Sequence, residues 1–135
     1  MRRAYGYGVL LLSAMGLVGC AQPGAVEKAK QSSTAGAVVT MNGFNYAPKR
    51  VTIKTGQTVQ WTNTDAILKH TVTADPKLAK TASSVALPAG AMPFDSGMLK
   101  PSQTFMYTFT TPGTYKYFCI PHERMGMVGE VEVQP

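Results

Sequence analysis

The sequence predicts an all-β fold, a sandwich of two sheets made from several short strands. From residue 37 onward, apolar residues recur with a period of two, which is typical of half-buried strands and not of helices. Turn-forming residues separate these segments, as at Thr55-Gly56-Gln57 and Thr111-Pro112-Gly113. Several short strands with turns between them favour a sandwich.

Each predicted strand rests on a local alternation of apolar and polar residues. The clearest one sets Phe105, Tyr107 and Phe109 against polar neighbours, and Trp61 lies on the apolar side of another, so we expect these rings in the core. The first strand is expected to be interrupted at Tyr46-Ala47-Pro48. Residues 75–97 are expected to be irregular, and one or two helical turns over 77–85 are the alternative. Most of the methionines at 41, 92, 98 and 106 are expected to fill gaps in the core. The predicted strands span residues 38–41, 51–54, 59–61, 71–74, 105–109, 115–118 and 128–133.

The first residues indicate export and lipid attachment. Arg2 and Arg3 precede a short apolar run over 8–18, which is the layout of a secretory signal, with a short membrane anchor helix as the alternative. The run is shorter than the ~20 apolar residues that span a bilayer. Leu17-Val18-Gly19-Cys20 resembles a bacterial lipobox, whose cysteine is lipidated, and an ordinary cleavage site is the alternative. We expect a lipoprotein signal peptide over 1–19, a lipidated Cys20 and flexible tether over 20–36, and the folded domain over 37–135.

Cysteine usage and charge narrow the expected partners. Lipidation of Cys20 would leave Cys119 free for a metal, so no disulfide between the two is predicted. The formal net charge is +6, but the basic residues are scattered and form no dense run that would grip phosphates. We therefore expect no nucleic-acid partner, and a protein held by its lipid on the periplasmic side of a bacterial membrane.

The residues that carry chemistry are concentrated near the C-terminus. Cys119 and His122 lie in one short segment, and His70, the other of the chain's two histidines, lies far upstream. Two imidazoles, one thiolate and a weak axial methionine form the ligand set of blue-copper electron-transfer sites. These three residues are predicted to hold one copper ion that alternates between Cu(I) and Cu(II). A buried structural thiol and two surface histidines are the alternative interpretation.

The axial ligand is left open between two methionines. Met127 and Met125 both follow Cys119 closely, and both offer a thioether. The last predicted strand starts directly after Met127, which would place its side chain at the base of the loop, beside the metal. Met127 is therefore preferred, and Met125 is the second candidate.

Several motifs together resemble one family. Tyr117-Phe118-Cys119-Ile120-Pro121-His122, followed by Gly126-Met127-Val128-Gly129, is similar to the copper loop of the plastocyanin and pseudoazurin branch of the cupredoxins. The resemblance covers about residues 38–134 and includes Val59-Gln60-Trp61-Thr62-Asn63, Phe94-Asp95-Ser96-Gly97 and Thr111-Pro112-Gly113-Thr114-Tyr115.

The resemblance implies a Greek-key β-sandwich of about eight strands, with copper ligands His70, Cys119, His122 and Met127. It also implies transient redox partners, such as a cytochrome or an oxidoreductase. Two positions depart from the plastocyanin pattern. Thr71 stands where plastocyanins usually carry an Asn that ties the ligand loops together, so a different environment around the ligands is expected. Phe118 stands where many have Tyr.

The predicted activity is the transfer of single electrons by a monomeric protein, through an exposed edge of His122. We expect an apolar electron-transfer patch around that edge, formed by Ile120, Pro121, His122, Met125 and Gly126, with Phe44 as a further candidate. No enzymatic activity is expected, because two histidines cannot build a second copper site and four ligands leave no open position. Copper trafficking without electron transfer is the alternative function, and zinc is the alternative metal.

Overall fold

The computed structural model describes residues 35–135, which form nine β-strands and two short 3₁₀ helices. The all-β prediction is confirmed. The 3₁₀ helices span Ala82–Ser84 and Ile120–Met125. The strands are β1 (Ala35–Asn42), β2 (Asn45–Ala47), β3 (Arg50–Lys54), β4 (Thr58–Asn63), β5 (Thr73–Ala74), β6 (Phe94–Asp95), β7 (Thr104–Thr108), β8 (Gly113–Phe118) and β9 (Val128–Gln134).

The strands are arranged in two sheets, as the sequence predicts for a sandwich. One sheet has the order β2-β1-β4-β7, and the other has the order β3-β9-β8-β5-β6. Two neighbouring pairs, β1 with β4 and β3 with β9, are parallel, and the other neighbours are antiparallel. Because strands distant in sequence lie side by side, the chain crosses between the sheets several times. Those crossings bring the segment before β5 next to the loop between β8 and β9.

Aromatic side chains fill the space between the sheets. Trp61 in β4 is fully buried, and its ring lies edge-on to that of Tyr117 in β8, with centroids 5.4 Å apart. The rings of Phe94, Phe105 and Phe109 lie around the same indole, at centroid distances between 5.9 and 6.4 Å. The predicted core position of Trp61 is confirmed. This packing fixes β4 and β8, the strands from which two parts of the candidate site extend.

Some strand boundaries differ from the prediction. β1 includes Ala35 and Gly36, which precede the predicted domain start at 37, and Ala35 pairs with Thr58 of β4. The sequence predicts a break at 46–48, but Tyr46 and Ala47 belong to the short strand β2, which ends directly before Pro48 at the edge of its sheet. Of the segment 71–74, Thr73 and Ala74 are a strand. The irregular segment 75–97 contains β6 and one short 3₁₀ helix.

The prediction that most of the methionines at 41, 92, 98 and 106 fill core gaps is wrong. Met41 is fully buried, but Met92 is 72 %, Met98 is 53 % and Met106 is 44 % exposed. Met106 lies in β7 between residues that face the core, so alternation turns its side chain outward. Whether a methionine is buried depends on its position in a strand or loop, so the residue type alone is a poor guide to its burial.

The predicted signal peptide and the lipidated Cys20 lie outside the described residues. The absence of a disulfide between Cys20 and Cys119 therefore also stays a prediction. Within residues 35–135, no helix has the length and apolar character needed to cross a membrane.

Candidate metal centre

His70 is held in place by the backbone and by one buried amide. Its N–H donates to the Leu99 carbonyl at 3.1 Å, and its own carbonyl accepts the Leu99 N–H at 2.8 Å. Asn63, at the end of β4, is fully buried and donates from Nδ2 to the carbonyls of Leu68 and Leu99, at 2.9 and 3.0 Å. The imidazole of His70 is itself fully buried. Its position is thus fixed by contacts that span the loop before it.

The Cys119 loop is closed by backbone hydrogen bonds at its base. Cys119 follows β8 directly, and its N–H donates to the Met127 carbonyl at 3.1 Å. The His122 N–H donates to the Cys119 carbonyl at 3.1 Å, and the Met127 N–H donates to the His122 carbonyl at 3.3 Å. Gly126 closes the turn in the left-handed region, at φ 76°, which favours glycine. The loop therefore presents Cys119 and His122 from one rigid turn.

The three side chains predicted to hold copper together with a methionine, those of His70, Cys119 and His122, meet in the interior. The Cys119 Sγ lies 3.7 Å from His70 Nδ1 and 3.4 Å from His122 Nδ1. The ligand atoms of these residues all lie within 4.8 Å of one another, and all three residues are buried. In residues 35–135 this is the one group of His, Cys, Asp or Glu side chains with such an arrangement. Residues 49 positions apart in sequence are thus placed to share one ion.

The two candidate axial methionines have opposite environments. Met127 is fully buried at the base of the loop, whereas Met125 is 56 % exposed. Met127 also exchanges backbone hydrogen bonds with Cys119 and His122. A side chain directed into solvent is a poor ligand for a buried ion.

Burial keeps the imidazoles of the site neutral. Desolvation lowers the pKa of His70, with a further lowering by the nearby charge of His122, while Asp65 opposes the shift. Desolvation also lowers the pKa of His122. A neutral imidazole keeps a lone pair for a metal. In the absence of a metal, burial raises the pKa of the Cys119 thiol, which the backbone N–H of Thr71 partly offsets.

Thr71 joins the two ligand segments. Its N–H donates to the Cys119 Sγ at 3.3 Å, and its Oγ1 accepts the Ile120 N–H at 2.9 Å. The hydroxyl oxygens of Thr71 and Thr73 lie 2.9 Å apart, and Thr73 donates to Asp95 Oδ1 at 2.7 Å. Thr71 thus connects the His70 segment to the Cys119 loop by hydrogen bonds, at the position where the sequence departs from the plastocyanin pattern.

The residues of the predicted electron-transfer patch lie around His122 with different exposures. Pro121, Met125 and Gly126 are exposed, Ile120 is half-buried, and His122 is 8 % exposed. Phe44 is 43 % exposed, and its ring centroid lies 5.0 Å from that of His122. Phe44 therefore contacts the imidazole from a different part of the chain.

Two carboxylates near the site were not predicted from the sequence. Asp65 lies 3.6 Å from His70, measured from Oδ2 to Nε2. Glu123 is 5 % exposed and accepts the N–H groups of Lys80 and Thr81. Glu123 follows a predicted ligand directly, but nothing in its own segment indicates that its partner is a distant loop. In the sequence, Asp65 has the features of an ordinary turn residue, and these do not indicate a contact with His70.

Comparison with known proteins identifies the family. The family model described as "Copper binding proteins, plastocyanin/azurin family" matches residues 33–134. The chain belongs to this family. The chain is 38 % identical to the chloroplastic plastocyanin of Tetradesmus obliquus over 89 residues, which are 66 % of this chain and 58 % of that protein. It is 30 % identical to amicyanin-alpha of Methylorubrum extorquens over 116 residues, which are 84 % of this chain and 87 % of that protein.

Solved structures support the same fold. An oxidized amicyanin variant, 30 % identical, matches with a TM-score of 0.57 over 73 % of this chain and 82 % of its own. A Cu-containing nitrite reductase from Thermus scotoductus, 28 % identical, matches with a TM-score of 0.59 over 73 % of this chain but 22 % of its own. The family of copper-binding proteins fits the donor set here, because a buried thiol and two neutral imidazoles converge on one point.

Proposed function

We propose that this protein is a mononuclear type 1 copper protein that carries single electrons between redox partners. The observation that carries the proposal is the buried meeting of His70, Cys119 and His122, with Met127 buried at the base of the same loop. Copper, when bound, supplies a one-electron couple. The chain supplies two imidazoles, a thiolate and a thioether, a set that serves both valences.

The surrounding contacts favour a site whose geometry is set by the fold. Leu99 and Asn63 hold His70, and Thr71 joins its segment to the Cys119 loop. Ligands that are already in place need little movement when the charge of the ion changes. Fast exchange of single electrons depends on this small rearrangement.

We propose His122 as the contact through which electrons pass to partners. Its Nδ1 faces the Cys119 sulfur, and its ring contacts the part-exposed Phe44. The exposed Pro121 and Met125 extend this apolar surface. Brief redox encounters bury less than about 1,200 Å² in total, which a small patch of this kind can supply. A cytochrome or an oxidoreductase is the proposed class of partner.

The central experiment is spectroscopic. Protein loaded with one equivalent of Cu(II) is expected to show an intense visible absorption from the thiolate–copper bond and a reversible one-electron couple by voltammetry. The Cys119→Ser variant is expected to lose the colour while remaining folded. The matched control is Met125→Leu, outside the buried set, which should keep the colour. A colourless and redox-silent wild-type protein would contradict the proposal.

Copper trafficking is the second candidate function, favoured by the exposed methionines. Met92, Met98 and Met106 offer thioethers to solvent, and thioethers bind Cu(I). A carrier should lose its copper readily to a competing Cu(I) chelator, whereas an electron carrier should retain it in both valences. Replacement of all three residues with Leu should slow copper transfer if trafficking is the function, and should leave the voltammetric couple unchanged if it is not.

We propose further that the protein is a lipoprotein on the periplasmic side of a bacterial membrane, attached through Cys20. The support is the sequence pattern Leu17-Val18-Gly19-Cys20 after a short apolar run. In membrane fractions from the native cell, mass spectrometry should find an acylated Cys20 at the N-terminus, and Cys20→Ala should move the protein to the soluble fraction. Metal analysis of the same material tests copper against zinc.

A further inference from the structure

Asp65 organises the loop that precedes His70. Its Oδ1 accepts the N–H groups of Ile67 and Leu68, each at 3.1 Å, and its Oδ2 accepts the N–H of Gly43 at 2.9 Å. Its own N–H donates to Asn63 Oδ1 at 2.9 Å. Three N–H donors on one carboxyl group stabilise its ionised form. Asp65 therefore holds a fixed negative charge next to the predicted ligand.

The outer nitrogen of His70 points toward this charge. His70 is fully buried, and its Nε2 has no partner within hydrogen-bonding distance among the described residues. Asp65 Oδ2 lies 3.6 Å from it. Since Nδ1 faces the Cys119 sulfur and must be free of its proton to bind a metal, a neutral His70 carries its proton on Nε2. A buried N–H without a partner is unfavourable, and a carboxylate within reach can relieve it.

We infer that Asp65 is the positioning residue for His70: its carboxylate is the acceptor for the Nε2 N–H, favours the tautomer that frees Nδ1, and favours the divalent over the monovalent ion. The inference rests on the proposed copper function. Histidine ligands commonly donate their second N–H to a carboxylate or carbonyl, and loss of that partner costs about 10–100-fold in metal affinity. A fixed negative charge near an ion also stabilises its more positive valence.

A purely structural role is the competing explanation, because Asp65 also binds three backbone N–H groups. The two roles differ in what they change. Loss of a loop anchor lowers folding stability and weakens Cu(I) and Cu(II) binding alike. Loss of a charged partner changes the ratio of the two affinities and changes the resonance of the Nε2 proton.

The test compares Asp65→Asn with Asp75→Asn in the full chain. Asp75 is the matched control, because its Oδ1 accepts the Lys77 N–H at 2.9 Å in a turn of the same kind. Neither histidine lies within ion-pair distance of Asp75 in the described part of the chain. In Asp65→Asn, the amide NH₂ can face the N–H donors of the turn and disturb it. Asp65→Ser is therefore a second variant, because its hydroxyl oxygen can still accept a hydrogen bond in the turn.

The probes are Cu(II) and Cu(I) affinity, the reduction potential, and nitrogen-15 NMR of His70 in metal-free and zinc-loaded protein. The Asp65 variants should bind Cu(II) about 10-fold more weakly with a smaller change for Cu(I). If Cu(I) binding were unchanged, a 10-fold loss would raise the one-electron potential by about 59 mV. In the wild type, and in Asp75→Asn, the Nε2 proton of His70 should be visible and slow to exchange, and the Asp65 variants should lose this protection.

Equal losses of Cu(II) and Cu(I) affinity, with the potential and the Nε2 proton as in the control, would overturn the inference in favour of the structural role. Failure of the proposed function looks different. In that case the wild type itself binds no copper, while the Nε2 proton in metal-free and zinc-loaded protein still reports whether Asp65 is its partner.

Discussion

Thr71 Oγ1 accepts the backbone N–H of Ile120 at 2.9 Å, across 49 positions of sequence. This hydrogen bond connects the residue after the first histidine to the residue after the cysteine. Thr71 is fully buried, so the acceptor side of the bond is shielded from water. The sequence predicts a changed environment at this position, where plastocyanins usually carry Asn. The structure shows that threonine still joins the two ligand segments.

Replacement of Thr71 with Val should destabilise the metal-free protein by about 1 kcal/mol or more, because it leaves the part-buried Ile120 N–H without its acceptor. Thr71→Ser keeps the hydroxyl and is the matched control. Urea unfolding of both variants measures the difference. Equal stability of the Val and Ser variants would show that the Ile120 N–H finds another partner.

Replacement of Met127 with Leu should raise the reduction potential and alter the visible spectrum of the copper-loaded protein. The thioether donates to the more positive valence, so its loss disfavours Cu(II), and the axial ligand tunes the potential of such sites. Met125→Leu should leave both properties unchanged, because Met125 is 56 % exposed. The opposite pattern would make Met125 the axial ligand.

Glu123 fastens the ligand loop to the segment before the first 3₁₀ helix. Its Oε1 accepts the Thr81 N–H at 2.9 Å, and its Oε2 accepts the Lys80 N–H at 3.0 Å. Although burial alone would raise the pKa of this carboxyl, these N–H groups keep the pKa below its usual range.

Replacement of Glu123 with Gln should destabilise the protein by about 1.5–3 kcal/mol, since hydrogen bonds to a charged acceptor are lost and an amide NH₂ meets an N–H. The control is Glu132→Gln, because Glu132 is a half-buried glutamate in β9. Thermal unfolding of the metal-free variants gives the comparison, and a loss no larger than that of the control would contradict the prediction.

Gly129 lies against the ring of Tyr117. A Cβ at Gly129 would come within 2.4 Å of Tyr117 Cζ, so Gly129→Ala must displace a fully buried ring. Overpacking of this kind costs about 1–3 kcal/mol. A double-mutant cycle with Tyr117→Leu, measured by urea unfolding, should show a smaller cost of Gly129→Ala in the Leu background. Additive costs would argue against the contact.

The metal-free protein should lose stability as the pH falls below 6.5. Desolvation lowers the pKa of His70 and His122 from that value in the folded state. The unfolded chain therefore binds more protons below pH 6.5, and protonation favours unfolding. Urea midpoints at about pH 7.5 and pH 5.5 test this, since carboxyl groups titrate mostly below that range. The variant with both histidines changed to Asn should show a flatter dependence.

The fold class and the chemistry of the site could be predicted from the pattern and types of the residues. A period of two is a local property of the chain, so the sandwich and the buried Trp61 could be predicted from it. Cys119 and His122 lie in one turn, and with His70 and a nearby methionine they match the ligand set of a blue-copper site. Alternation also predicted β3, β8 and β9 closely, because one face of each strand must be buried.

The surroundings of the site depend on how distant segments of the chain pack together. Two thioethers near Cys119 are chemically equal in sequence, and burial distinguishes Met127 from Met125. The contacts of Asp65 with Gly43 and of Glu123 with Thr81 join residues 22 and 42 positions apart. Such partners are brought together by strand pairing and loop packing, and a polar residue in a turn carries no local signal of its distant partner.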